Sequence, residues 1–274
     1  MRTVATTILL GGLAVSGCVA TGPGPDGDAA VAKAEIGRLM LADADPAQAA
    51  AYFQARLRAA PDDAAARRGL AQSLGRAGRT EEALAAWTAI SEDGGTTAED
   101  AVGFAEALIR ARRVDEAKRV LDSVPPMHAT YDRYRLEAIV ADHRRDWEAA
   151  DAFYETAAAL AEEPASILNN WGFSKLTRGD SRGAERLFTE AITQDATLFT
   201  AKNNLVLARA RRGVYALPRV PATAEERAQM MLTAAKAAMR GGDTDIAREL
   251  LQRAVETHPR HFPAATKALE GLSA

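Results

Sequence analysis

The sequence predicts an all-α protein built from stacked helix-turn-helix pairs, and three observations carry that expectation. A triplet of small, bulky and smaller residues, spaced four and then three apart, recurs at steps of 34 or 33 positions. Hydrophobic residues make up 47 % of the chain but aromatics only 5 %, because alanine supplies much of the apolar content. Alanine has the best helix propensity and lets helix axes approach closely. Runs of Val, Ile and Thr with period-two alternation are missing, so nothing points to a sheet.

The chain opens with Met1-Arg2 and then an uncharged, mostly apolar stretch from Val4 to Val15. That stretch suits the core of a signal peptide and is too short to span a bilayer. It runs into Val15-Ser16-Gly17-Cys18, and Cys18 is the single cysteine. Small residues before a cysteine resemble the lipobox of bacterial lipoproteins. The resemblance implies a signal peptide over 1–17, a diacylglycerol on the Cys18 thiol, and acylation of the new amine. Each buried methylene contributes about 0.8 kcal/mol, and stable anchoring takes more than one acyl chain. The other reading is an ordinary secretory signal with an incidental cysteine; a lone cysteine placed here favours lipidation. Val19 stands where an Asp would suggest inner-membrane retention, so the expected location is the outer membrane, facing the periplasm. Residues 18–28 carry Gly22, Pro23, Gly24, Pro25 and Gly27, which break helix and strand. They are expected to form a flexible tether of roughly 17–19 Å root-mean-square span.

The array itself is expected over 29–213. Ala49 and Phe53 open the series, followed by Ala83, Trp87 and Ile90, then Ala117, Leu121 and Val124. Ala150, Tyr154 and Ala157 come next, then Ala184, Phe188 and Ala191. Each set is one stripe of a helix. A preceding helix supplies a large–small pair: Ile36-Gly37, Leu70-Ala71, Phe104-Ala105, Trp171-Gly172 and Leu205-Val206. The large member should fill the gap between paired helices while the small one lets the backbones approach. Gly78, Gly179 and Gly242 mark turns, since glycine readily takes the left-handed conformation that ends a helix. Pro61, Pro125, Pro164 and Pro259 close several units. Period, code and punctuation together resemble the tetratricopeptide repeat family. The resemblance implies a right-handed superhelical solenoid whose first helices line a concave surface that binds protein partners.

Two departures stand out. Glu137 occupies a position expected to be large and apolar, with Leu136 or Tyr134 as substitutes after a rotation of the helix. After Leu205, the expected second helix is replaced by Val214-Tyr215-Ala216-Leu217-Pro218-Arg219-Val220-Pro221. Two prolines so close exclude an ordinary helix, so 214–224 is expected to be a loop or short extended strap. A C-terminal repeat resumes over 225–266 with Ala234-Ala235, Ala247, Leu251, Ala254 and Pro259, leaving 267–274 as a terminal helix or tail.

Composition excludes several functions. With 34 basic and 37 acidic residues the formal net charge is −3, and no basic block interleaved with aromatics suggests nucleic acid. No phosphate-binding glycine loop or nucleophile elbow is present. His258 and His261 are three apart, a separation that can hold a metal, but Pro259 lies between them and the folded body offers no cysteine. They are expected to be surface residues. Neither a catalytic residue, a metal site nor a cofactor is expected, beyond the lipid on Cys18.

The first helices are the better place to look for binding. Asn169-Asn170 and Asn203-Asn204 stand at equivalent positions, 34 apart. Their amides could hold the backbone of an extended peptide; alternatively one of each pair bonds a neighbouring helix backbone. Arg76, Arg110, Arg211 and Arg240 recur near the ends of four first helices. They could attract acidic partner segments, or serve locally where positive charge suits a helix C-terminus. Phe173 adds an apolar contact or packs into the core.

Among lipoproteins of this build, the chain resembles the TadD-type proteins of Tad/Flp pilus assembly. Asn169-Asn170-Trp171-Gly172-Phe173 and Ala184-Glu185-Arg186-Leu187-Phe188 carry the likeness, with Lys202-Asn203-Asn204-Leu205, the Leu217-Pro218 break and Pro259-Arg260-His261-Phe262-Pro263. Membership would imply a non-catalytic adaptor whose partners are the secretin or other pilus-assembly components, with membrane contact through the lipid alone. The alternatives are an adaptor or activator for outer-membrane protein assembly or cell-wall synthesis.

Overall fold

The computed structural model describes residues 25–94 and 96–272, with side chains from Val31 onward. Cys18 and the leader lie outside the described residues. Fourteen helices and no strand are found among the described residues, so the fold class is the all-α one that the repeat code predicts. None of these helices is long and apolar enough to cross a membrane. The chain divides into two compact units, Met1–Ala77 and Gly78–Ala274.

In the first unit, α1 (Pro25–Ala42), α2 (Pro46–Ala59) and α3 (Ala64–Arg76) pack on one another. The first helix starts at Pro25, inside the stretch 18–28 expected to be a tether. Proline is suited to the first turn, where its missing N–H has no intrahelical partner to lose, and the alanines after it continue the helix. Pro46 opens α2 in the same way, behind Asp45, whose carboxylate accepts from the amides of Ala47 at 2.9 Å and Gln48 at 3.3 Å. Phe53 is buried and its ring lies over Gly69, where a Cβ would come within 2.4 Å of it. Ile36 departs from expectation: it is 47 % exposed. Its small neighbour Gly37 is the residue that faces Phe53, and α1 turns its other side outward.

The second unit comprises α4 (Thr80–Glu92), α5 (Ala98–Arg110), α6 (Val114–Asp122), α7 (Tyr131–His143), α8 (Trp147–Leu160), α9 (Ala165–Thr177) and α10 (Ser181–Gln194). These are followed by α11 (Phe199–Ala210), α12 (Ala224–Gly241), α13 (Thr244–Thr257) and α14 (Pro263–Gly271). The pairs α5–α6, α7–α8, α9–α10 and α12–α13 are antiparallel hairpins, and each second helix also leans on the next first helix. Trp87, Leu121, Tyr154, Phe188 and Leu251 are all 3 % exposed or less, and the alanines four residues before them are closed off as well. Burial of each such large side chain contributes about 1.5–3 kcal/mol. Two of them sit where the facing helix has no Cβ: Trp87 over Gly103, 2.4 Å from where a Cβ would stand, and Phe188 over Gly172, at 2.7 Å. Gly103 escapes the large–small code because it lies next to, not within, the Phe104-Ala105 pair.

Glu137 keeps its place in α7 and is accommodated by an ion pair with Arg133 at 2.9 Å, both half-buried. Leu136 is fully buried instead, and Tyr134 stacks on Phe153 at 6.2 Å between centroids. The turns after α3, α5, α7, α9, α11 and α12 each use one left-handed residue at the same register: Gly78, Arg112, Arg145, Gly179, Gly213 and Gly242, with φ between 60° and 93°. The following amide then bonds back into the helix, as from Arg113 to the Leu108 carbonyl at 2.8 Å and from Asp146 to Ala141 at 2.9 Å. Arginine pays the steric penalty that glycine avoids.

After α11 no helix intervenes before α12. Residues of this strap pack instead: Tyr215, Leu217, Val220 and Ala222 lie on the core formed by α11 to α14, and Val220 also touches the core of α9 to α11. The Tyr215 hydroxyl donates to Asp243 at 2.6 Å, pinning the strap to the α12–α13 turn. The last helix begins at Pro263, ahead of the expected boundary at 267, because Pro263 again supplies a first turn.

Two stability measurements test this packing. Gly103→Ala, which drives a methyl into the Trp87 indole, is expected to cost about 1–3 kcal/mol in urea unfolding; an unchanged midpoint would contradict the contact. Arg145→Gly relieves the left-handed strain and is expected to stabilise by about 1 kcal/mol, read as a rise in melting temperature.

Candidate functional site

The first helices of the second unit carry most of the residues singled out by the sequence, and they are stitched to one another by side-chain hydrogen bonds. Arg135 of α7 reaches Glu106 of α5 at 3.5 Å, and Ser174 of α9 donates to Asp142 of α7 at 2.5 Å. The Asn204 amide of α11 donates to the Asn169 carbonyl oxygen of α9 at 3.0 Å. The Thr233 hydroxyl of α12 donates to Asn203 at 2.7 Å. Three of the four asparagines thus spend part of their hydrogen-bonding capacity on a neighbouring first helix, through side chains rather than backbone. Asn169 is buried, Asn203 and Asn204 are half-buried, and Asn170 is half-buried beside them.

The repeated arginines divide. Arg76, in the first unit, donates to the Leu41 carbonyl near the end of α1. Arg211 does the same to Leu176 near the end of α9, at 3.4 Å. In each case the guanidinium meets a carbonyl near a helix C-terminus, where cations are favoured. Arg110 pairs with Glu106 on its own helix at 2.8 Å. Arg240 is exposed near the end of α12.

Polar residues absent from the sequence-based set form the densest node. Asp151 of α8 accepts from Trp171 Nε1 at 2.6 Å, Lys175 Nζ at 2.8 Å and Arg178 at 2.6 and 2.7 Å. Burial works to raise its pKa, but the hydrogen bonds from Lys175, Trp171 and Arg178 outweigh it and hold the carboxyl below its usual range. Asp142 behaves oppositely: burial raises its pKa, and the hydroxyls of Ser174 and Tyr154 only partly offset that. Lys202, 3 % exposed, bonds both carboxylate oxygens of Glu226 at 3.0 and 3.2 Å. Glu226 also caps the Thr223 amide at the start of α12, so this pair fixes α12 on α11. Trp171 and Tyr154 carry the repeat code and Lys202 belongs to the likeness, but the code gave none of them a polar partner, and the carboxylates they meet stood outside it.

Phe173 is not core. It is 50 % exposed on α9, and half-buried Ile139 on α7 and Leu207 on α11 stand at the same register, each 34 positions away (173 − 139 and 207 − 173). Away from this face, His258 is occupied locally: its ring stacks on Phe262 at 4.7 Å and its Nδ1 meets the Arg260 backbone.

Comparison with known proteins shows a likeness of fold. A tetratricopeptide repeat model matches residues 35–93 and 232–273. Among solved structures, the chain is similar to one from the APC/C hetero-tetramer Cut9-Hcn1, with 13 % identity and a TM-score of 0.62. That alignment covers 84 % of this chain and 46 % of the other, so the present chain spans about half the length of that relative. It is also similar to PilW, a widely conserved type IV pilus biogenesis factor, with 16 % identity, a TM-score of 0.58, and coverage of 88 % and 98 %. A tetratricopeptide repeat protein from Parabacteroides merdae gives 13 % identity and a TM-score of 0.56, covering 90 % of this chain and 100 % of that one. At such identities the likeness is one of fold. No curated protein matches the sequence.

The opposed shifts of the two aspartates give a paired prediction. A depressed carboxyl stabilises the fold above the ordinary carboxylate range and loses that contribution as pH falls through its folded value. Asp151→Asn is therefore expected to cost about 2 kcal/mol at pH 7, since Lys175 and Arg178 lose an ionic partner. A raised carboxyl opposes folding at neutral pH, so Asp142→Asn should be at least as stable as the wild type there. Thermal melts at pH 7 that rank the two variants the other way would refute the assignment.

Proposed function

We propose that this chain is a non-catalytic, lipid-anchored scaffold of the cell envelope. It would be held at the outer membrane through Cys18 and face the periplasm, and its first-helix face would grip a segment of another protein during assembly of a Tad/Flp-type pilus. The observation that carries the binding role is the exposed Phe173, flanked at the same register by half-buried Ile139 and Leu207. A large ring left half in water on a helix face is the kind of apolar contact that marks interaction sites. Asn170 lies beside it, and the Asn169–Asn204 bond keeps α9 and α11 in position. The anchoring role is supported by the Val15-Ser16-Gly17-Cys18 motif. The pilus setting is supported by the TadD-like sequence pattern and by the fold shared with PilW.

Under this reading the lipid on Cys18 is the one covalent addition, and the partners are the secretin or other pilus-assembly proteins. Crosslinking in intact cells from a photoreactive residue at position 173 tests it. The expected outcome is capture of a pilus-assembly component, with pili lost on deletion of the gene. Capture only of cell-wall synthases, with normal pili after deletion, would overturn the pilus role. Cys18→Ser should move the protein out of the membrane fraction; persistent attachment would overturn the anchor.

A further inference from the structure

We infer that the first-helix face from α7 to α12 selects an extended segment in the polyproline II conformation, apolar at every third residue and acidic at its α12 end. The inference rests on the protein-binding reading above and specifies what is bound.

Spacing is the first reason. Ile139, Phe173 and Leu207 sit at one register on α7, α9 and α11, and these helices are joined directly by the Ser174–Asp142 and Asn204–Asn169 hydrogen bonds. Packed helices lie about 8–10 Å apart. A polyproline II segment has three residues per turn and a rise of about 3.1 Å, so residues i, i+3 and i+6 share one side at intervals of about 9 Å. That interval falls within the spacing of about 8–10 Å expected between packed helices. A β-strand alternates with period two and would turn every third side chain away. A helical ligand could present residues seven apart at about 10 Å, but its backbone amides and carbonyls are already paired. The polyproline II backbone is unpaired, and an amide such as Asn170 can bond to it.

Charge sets the direction. One step beyond Leu207, by the same 29 positions that separate Leu205 from Ala234, the register reaches Lys236, which is exposed on α12 with exposed Arg240 one turn further on. One step before Ile139 it reaches Glu106 on α5, which already holds Arg110 and Arg135. An acidic residue is attracted at the α12 end by Lys236 and Arg240, whereas at the other end Arg110 and Arg135 are already met by Glu106.

Fluorescence anisotropy with the detergent-solubilised full chain tests this with four synthetic peptides. The first repeats Leu-Pro-Ser and ends in acidic residues. The second has the same composition with Leu at alternate positions, the third replaces the acidic end with lysines, and the fourth is helical with Leu at seven-residue intervals. The first should bind at least tenfold more tightly than each of the others. Phe173→Ala, at a half-exposed site that should leave the melting temperature unchanged, is expected to weaken it tenfold. Lys236→Glu should reverse the preference between acidic and basic ends. Equal binding of the first two peptides, or tighter binding of the helical one, overturns the inference. If crosslinking from position 173 succeeds in cells while the peptides are not discriminated, the scaffold reading stands and the ligand class falls. If the peptides are discriminated but no pilus component is captured, the ligand class stands and the pilus setting falls.

Discussion

Everything else in this protein depends on a steric fit between neighbouring helices. A bulky ring of one helix stands where the opposed helix has no Cβ at all. Phe53 over Gly69, Trp87 over Gly103 and Phe188 over Gly172 are three instances, all with a would-be Cβ inside 2.8 Å of the ring. Cores packed to this density tolerate neither added nor missing volume. The fit fixes how far apart the helices lie, and hence the spacing of whatever the first helices display outward. Within the second unit each helix pair also packs on the next first helix, so its core runs from pair to pair instead of gathering about one centre.

Upon that apolar frame lies a polar one. The first helices of the second unit are joined by Glu106–Arg135, Asp142–Ser174, Asn169–Asn204 and Asn203–Thr233, with the buried Lys202–Glu226 pair where the strap replaces a helix. Hydrogen bonds of this kind contribute modestly when made and are costly when one partner is lost. Their main effect is positional: they hold each first helix at a fixed rotation against the next. Phe173 consequently stays on the outward face in line with Ile139 and Leu207. The α8–α9 node around Asp151 does the same for the junction that carries Phe173, binding Trp171, Lys175 and Arg178 of one helix end to a single carboxylate.

Much of this was legible before any coordinates. The step of 34 or 33 residues in Ala83, Ala117, Ala150 and Ala184 dictates paired helices, because only a helical stripe repeats small and large residues four and three apart. Leu217-Pro218 and Val220-Pro221 exclude a helix between α11 and α12 for the same covalent reasons that let Pro25, Pro46 and Pro263 begin one. What could not be read was partnership. Asn203 and Asn204 look alike in sequence, yet one meets Thr233 and the other Asn169, on opposite neighbours. Arg76, Arg110, Arg211 and Arg240 share a register, but what each guanidinium reaches depends on which carbonyl or carboxylate the adjacent helix brings near. Ile36 carries the same code as Trp171 and lies half in water, because a code describes one helix and burial requires two.

The sequence alone therefore determined an array of paired α-helices, its period and the place where the period breaks, since these follow from side-chain volume and backbone chemistry along the chain. Only the tertiary structure decided which small residues receive the large ones, which polar groups are spent on neighbouring helices, and which apolar ring is left facing outward. Those outcomes depend on distances between segments some 34 residues apart, which no local pattern encodes.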